Sequence, residues 1–322
     1  MALNTAGELS VTVVSKGEAK SIEQPKHEKP FHRRMQAWLG KYPKAYGLID
    51  AYDGNNEFFN TMEALGVRLP KSEKLLIVAE PLLQQLTANL VIVQPDDGGF
   101  EYFYGSRSAV GFVPALSWLS VTRARARTGK GEYRAWISAD SGPDAAGTLD
   151  IALARLSGTF EEFGFSVDTK RRLPGDMSDA GLVVVTAHGG LAQEGRYLHS
   201  IRDEENLVEP PSALAASLAG VELVILFVCS GGRIDKHPWG NRTVGLPRQL
   251  LDKGARAVIA SPWPLDVKVT YTWLEPFMNA WNAGATVLQA TKVANEVVAK
   301  RLGDNPQYSL AMSVYGDVLM TK

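Results

Sequence analysis

Along most of the chain, short and nearly continuous apolar runs alternate with longer stretches in which apolar residues recur every three or four positions. The short runs lie at 74–79, 89–94, 133–138, 165–168, 181–187, 222–228 and 256–260. Several are almost unbroken Val, Ile and Leu, the pattern of a strand covered on both faces, as in a parallel sheet. Between them, 146–163 carries Leu149, Leu153, Leu156 and Phe160 at helical spacing, and 243–253, 267–283 and 285–302 also read as helices. Strands alternating with helices predict an α/β fold, a mostly parallel sheet flanked by helices on both faces. No internal repeat is visible.

Residues 1–45 break this pattern. They are polar and rich in Lys and Pro, and they read as an arm that is partly flexible or loosely docked. The alternation at 9–14 offers a single edge strand as the other reading. The compact pattern begins at Tyr46 and runs to the C-terminus without a Gly-rich linker, so one unit or two tightly joined halves both fit.

Composition narrows the function classes. The chain has 322 residues, 45% of them hydrophobic, and a net charge of −1. That balance gives no bulk electrostatic attraction to nucleic acid or to an anionic membrane. No window reaches the length and apolarity of a membrane-spanning helix. The N-terminus lacks a basic region followed by a long apolar stretch, so no signal peptide is read and the expected location is the cytoplasm. Neither Gly-x-x-x-x-Gly-Lys-Ser/Thr nor a Gly-x-Gly-x-x-Gly opening a helix is present, which argues against nucleotide binding.

The chain contains one cysteine, Cys229. An internal disulfide is impossible and a cysteine-based zinc site is excluded. The five histidines are His27, His32, His188, His199 and His237, and none has a tight metal-ligand spacing with a carboxylate. No metal and no cofactor are expected.

Candidate chemistry gathers at two strand ends, where parallel α/β sheets place their functional residues. One apolar run ends in Ala187-His188-Gly189-Gly190 and another in Val228-Cys229-Ser230-Gly231-Gly232. A free thiol is only slightly ionised at neutral pH, and a neighbouring imidazole activates it by taking its proton. The same imidazole then returns a proton to the leaving amine. Glycines allow a peptide carbonyl close to the main chain, and the amides of Gly189 and Cys229 are candidate donors to an oxyanion. Alone, Cys229 reads first as a small buried hydrophobe, and His188 as a turn residue. Together, in the order His then Cys, they form the arrangement of a cysteine peptidase. His199 and His237 are weaker candidates for the base, since neither follows an apolar run and precedes Gly-Gly.

Further pieces carry a resemblance. They are 245–266, with Gly254-Ala255-Arg256 before an apolar run and Trp263-Pro264-Leu265-Asp266 after it; the ending 309–317, with Tyr315-Gly316-Asp317; and, in the N-terminal half, the run 89–94 as a strand and 114–119 as a helix start. With the two turns, they make the chain similar to the CHAT peptidase domain, a caspase- and separase-related family found mainly in bacteria. The resemblance covers 46–322, with 46–130 as an N-terminal half and 131–322 as the caspase-like catalytic core. It implies a cysteine endopeptidase with Cys229 as nucleophile, His188 as base and an oxyanion hole from the amides of Gly189 and Cys229. It also implies a protein or peptide substrate, a role in bacterial defence or programmed cell death, and cleavage of a pore-forming gasdermin-like protein. Caspases proper carry Gln-Ala-Cys-x-Gly where this chain has Phe227-Val228-Cys229-Ser230-Gly231, so their preference for Asp does not transfer. Family members often carry helical repeats that recruit an activating partner, and none is visible here.

Asp140, Asp235 and Trp263 are candidate substrate-binding residues, because they lie just beyond apolar runs next to the two turns. Convergent carboxylates would favour a basic substrate residue. The plain reading is that both Asp residues are solvated turn residues. Trp263 and Trp239 are candidates for a cleft wall or for the core. Asp266 is suited to cap the helix that follows it. The rival to an enzyme is a catalytically silent interaction module that keeps the peptidase fold.

Overall fold

The structure, a computed structural model, describes residues 1–41, 60, 62–94, 99–127, 131–138, 147–170, 172–178, 180–191, 199–202, 208–236 and 243–322. Its frame is an eight-stranded sheet. In chain order the strands are β1 (Lys74–Ile77), β2 (Ala109–Phe112), β3 (Tyr133–Ile137), β4 (Ser166–Asp168), β5 (Leu182–Ala187), β6 (Leu223–Val228), β7 (Ala257–Ala260) and β8 (Ser313–Gly316). Across the sheet they lie in the order β1-β2-β8-β7-β6-β5-β3-β4. From β7 to β4 the strands are parallel. β8 runs antiparallel to β7, and β1 and β2 run parallel to β8.

The continuous apolar runs become the centre of this sheet because both of its faces are covered. Val183, Val185, Val224, Leu226 and Val258 pack on one face with helix α1 (Phe31–Lys41) and with α4 (Pro211–Ser217) and α5 (Leu246–Asp252). Leu182, Val184, Ile225, Phe227 and Ile259 pack on the other with α3 (Thr148–Glu162), α6 (Val267–Asn282) and α7 (Val287–Leu302). β5 and β6 are buried at every position. No helix among the described residues is long and apolar enough to cross a membrane.

Three features depart from the sequence pattern. First, residues 2–22 form a three-stranded antiparallel sheet (Ala2–Leu3, Leu9–Ser15, Glu18–Ile22), and α1 buries Phe31, Met35 and Trp38 in the core. Most of the expected arm is therefore regular structure. Its core contacts are few and divided between Leu9 and Val11 on a strand and Phe31, Met35 and Trp38 on α1, among many charges, which hides the amphipathic pattern. Second, 89–94 is not one strand but a single 3-10 turn at Ala88–Leu90 followed by a two-residue strand, Ile92–Val93. Asn89 is buried there and donates to Ser313 Oγ at 3.1 Å. Third, β2 and β8 are strands that the apolar runs did not announce. β2 contains Gly111, where an added Cβ would lie 2.5 Å from Val318. A residue chosen for that close approach interrupts the strand signal.

The N-terminal half is tied to the end of the chain. Arg123 of α2 (Leu116–Ala124) donates from Nη2 to the buried Asp317 carboxylate at 2.8 Å, with Nε at 3.1 Å. Replacing Trp38 by Ala tests whether the first segment is part of the core. The expected loss of stability is about 3–5 kcal/mol, read from the urea midpoint. A loosely docked arm would leave that midpoint where it is.

Candidate active site

β5 and β6 are adjacent and parallel, and their ladder pairs Leu182 with Leu223 through to Ala187 with Val228. The next residue on each strand is His188 or Cys229. Neighbouring strands lie about 4.8 Å apart, so the shared register brings the main chain of His188 and of Cys229 to the same end of the sheet. The base of this arrangement is stiff. Phe227 meets the Trp273 ring edge-on at 6.0 Å, and Trp273 stacks on Phe277 at 4.7 Å. Trp273 Nε1 donates to Asn295 Oδ1 at 2.8 Å.

Beyond each strand the chain turns. Gly189–Leu191 pairs antiparallel with His199–Arg202, which pairs with Val208–Glu209, so the histidine is held at the root of a small second sheet. After Cys229, Ser230 takes φ +57°, a left-handed conformation that residues with a Cβ rarely adopt. Hydrogen bonds fasten this turn. Ser230 N donates to Trp263 O at 3.0 Å, Gly231 N to Val228 O at 2.9 Å, Gly232 N to Ser261 O at 2.7 Å and Arg233 N to Ser230 O at 3.0 Å. Tyr315 Oη donates to Gly232 O at 2.8 Å.

The loop after β7 completes the surroundings of the thiol. Leu265 N donates to Cys229 Sγ at 3.4 Å, and Sγ lies 3.8 Å from Leu265 O as a donor. Asp266 caps α6, accepting from Lys268 N at 2.8 Å. Burial pushes the Cys229 thiol above its ordinary pKa, and its hydrogen bonds to the main chain offset part of that rise. Among the described residues no group of three or more His, Cys, Asp or Glu is placed to hold a metal ion.

The substrate-binding candidates fare differently. Trp263 is fully buried, and its Nε1 donates to Gln307 O at 2.9 Å. Its ring is part of the core and anchors the loop there. Asp235 accepts from Arg233 Nη2 at 2.9 Å and Nε at 3.0 Å, so its charge is already compensated. It lines a cavity of about 60 Å³ with Gln84, Thr87, Phe112 and Tyr315. Tyr315 and Phe112 pair with each other in the sheet ladder, and Tyr315 also pairs with Val258, back from the edge that carries Cys229. Asp140, Trp239 and His237 lie outside the described residues, and His199 falls in the small sheet. Sequence reasoning missed Ser261, Arg233 and the main chain of Leu265. A contact made by a peptide group leaves no residue-type signal, although the Trp-Pro-Leu-Asp run marked its place.

A mostly parallel sheet with helices on both faces, with a histidine and a cysteine following adjacent central strands, has the architecture of a caspase-like fold. The chain belongs to the CHAT domain family, whose model matches residues 58–311. Among solved structures, separase from Saccharomyces cerevisiae in complex with securin superposes over 92% of this chain with a TM-score of 0.52 and 12% identity. A second yeast separase–securin structure aligns over 66% of this chain, with a TM-score of 0.46 and 14% identity. Gingipain R, an Arg-specific cysteine proteinase, aligns over 90% of this chain and 68% of its own, with a TM-score of 0.47 and 14% identity. This chain spans only 20% and 14% of the two separase chains. At these identities the likeness is one of fold. A comparison with curated proteins finds no match.

Three outcomes follow from this geometry. At Gly232 an added Cβ would lie 2.8 Å from Ala260 O and 2.9 Å from Ser261 C, main-chain atoms that cannot swing away. Gly232→Ala is expected to cost about 1–3 kcal/mol, measured by thermal unfolding. Alkylation of Cys229 by iodoacetamide requires the thiolate, and burial holds the thiol neutral. Its rate should therefore be low at pH 7 and rise with pH, with a midpoint above that of the same cysteine in urea. Because the folded state keeps its proton longer than the unfolded state, stability should decline as pH climbs past the ordinary thiol value.

Proposed function

We propose that the chain is a cysteine endopeptidase with Cys229 as nucleophile and His188 as general base. The observation that supports this reading is the in-register pairing of Ala187 with Val228, the residues that immediately precede His188 and Cys229 on two adjacent strands. Because burial favours the neutral thiol, the base acts during attack and not beforehand. As a peptide carbonyl approaches, the Sγ proton passes to His188 and the sulfur electron pair forms the bond to the carbonyl carbon. The imidazolium then gives that proton to the leaving amine as the C–N bond breaks, and water hydrolyses the thioester with the histidine again taking the proton.

The developing oxyanion needs main-chain donors. Within the cysteine turn, Ser230, Gly231, Gly232 and Arg233 already donate to carbonyls. The amide of Cys229, together with that of Gly189, is the pair suited to the task. One such donor contributes about 2.7–4 kcal/mol to the barrier.

The substrate class is a protein or peptide chain, cut at one or few sites. A pore-forming gasdermin-like protein, cleaved in bacterial defence or programmed cell death, is the specific substrate that family membership suggests, and an activating partner protein fits the same picture. The second reading is a silent interaction module. What favours it is the cover that Leu265 lays over the thiol.

The test compares the parent with Cys229→Ala and His188→Ala on a peptide library and on candidate protein partners, reading new termini by mass spectrometry. New termini with the parent, at least a thousandfold fewer with either variant, would establish the dyad. A preference for a basic residue before the cut would point to Asp140, since Asp235 is already paired with Arg233. Equal and absent cleavage in all three, with every partner, would favour the silent module.

A further inference from the structure

The proposed mechanism assigns a role to Cys229 and to His188 and none to the loop packed against the thiol. The loop from Ser261 to Asp266 supplies the structure from which such a group can be identified. Ser261 is fully buried. Its hydroxyl donates to Trp263 O at 2.8 Å and accepts from Trp263 N at 3.3 Å, closing the loop on itself. Trp263 O also accepts from Ser230 N, the residue after the nucleophile. The buried indole of Trp263 fixes the loop to Gln307 O from below. Ser261 O accepts from Gly232 N. On the far side Asp266 begins α6, a helix of 16 residues. The segment that carries Leu265 is thus held at both ends, and Leu265 presents its peptide N–H and its carbonyl to Sγ.

We propose that the main chain of Leu265 is the third member of the site, positioning Cys229 Sγ and supporting it in the charged form. The inference rests on the peptidase reading for its purpose but not for its geometry. The two contacts respond oppositely to proton transfer. While the thiol is neutral, S–H donates to Leu265 O and N–H donates to sulfur. When His188 takes the proton, the contact to the carbonyl is lost and the N–H bond becomes charge-assisted, roughly doubling in strength. The Leu265 amide therefore favours the thiolate over the thiol and opposes the cost of burying it. Its direction also restricts the sulfur to one position against the neighbouring strand. Ser261 and Trp263 are positioning residues acting through Leu265.

The direct test replaces Leu265 by its α-hydroxy acid analogue through nonsense suppression. This turns the amide between residues 264 and 265 into an ester and deletes only the N–H. The readout is the pH profile of iodoacetamide alkylation, which needs no substrate and no activity. The titratable neighbours along the ladder and the loop, His188 and Asp266, are unchanged in every variant. The ester should lower the alkylation rate at pH 7 by about tenfold and move the midpoint up by about one pH unit. Ser261→Ala should shift the midpoint in the same direction by less, and it serves as the deciding variant if the ester protein does not fold. Arg123→Ala, which breaks the distant pair with Asp317 and destabilises without touching the loop, should leave the midpoint unchanged. A midpoint identical to the parent in the ester, or in Ser261→Ala where the ester does not fold, overturns the proposal. So does an equal shift in Arg123→Ala. Absence of peptidase activity in the parent would count against the enzyme reading and leave this result intact.

Discussion

The molecule depends most on the parallel ladder between β5 and β6. Six register pairs, every member buried, hold two strands that share no covalent link for some forty residues. A slip of one residue would turn each buried side chain to the opposite face. It would also separate His188 from Cys229 along the strand direction by about 3.3 Å. The penalty for a slip is set by the two cores, one on each face, so packing far from the edge fixes chemistry at the edge. The stacked rings behind Phe227 and the bond from Trp273 to Asn295 serve the same end.

A second constraint acts from the next strand over. β7 pairs with β6, and the loop that leaves it returns over the cysteine turn. Ser230 keeps its left-handed backbone because Trp263 O holds its amide, and Gly232 passes so close to Ala260 and Ser261 that a side chain has no room. The nucleophile turn is therefore enclosed by main chain, with Leu265 nearest the sulfur. Burial favours the neutral thiol, and the hydrogen bond from Leu265 opposes that effect.

How far the fold could be read along the chain varied with the environment of each element. β5 and β6 stand out because burial on both faces demands uninterrupted apolar residues. α6 and α7 stand out because their apolar residues keep helical spacing. β2 escaped because Gly111 answers to Val318 and not to strand propensity. The first forty residues misled in another way: Leu9, Val11, Phe31, Met35 and Trp38 make their contact with the core, and the surrounding Lys, Arg and Glu outnumber them. At the site, the positions of His188 and Cys229 at two strand ends were legible because an apolar run followed by glycines is a local pattern. The surroundings of Asp235 and Trp263 were not. A carboxylate's availability depends on whether an arginine two residues away folds back onto it, and a tryptophan's role depends on which side of the loop its ring enters.

The sequence by itself determined the α/β class, the order of the central strands and helices, and the pair of residues that ends two of those strands. These follow from periodicity and from residue type, which are properties of short segments. Only the tertiary structure decided which strands are neighbours and in what register. It also decided that the arm joins the core, that Asp235 is paired, and that a peptide group from the loop after β7 reaches the thiol. Those outcomes depend on side chains and peptide groups distant in sequence competing for the same space, and no local pattern records the result.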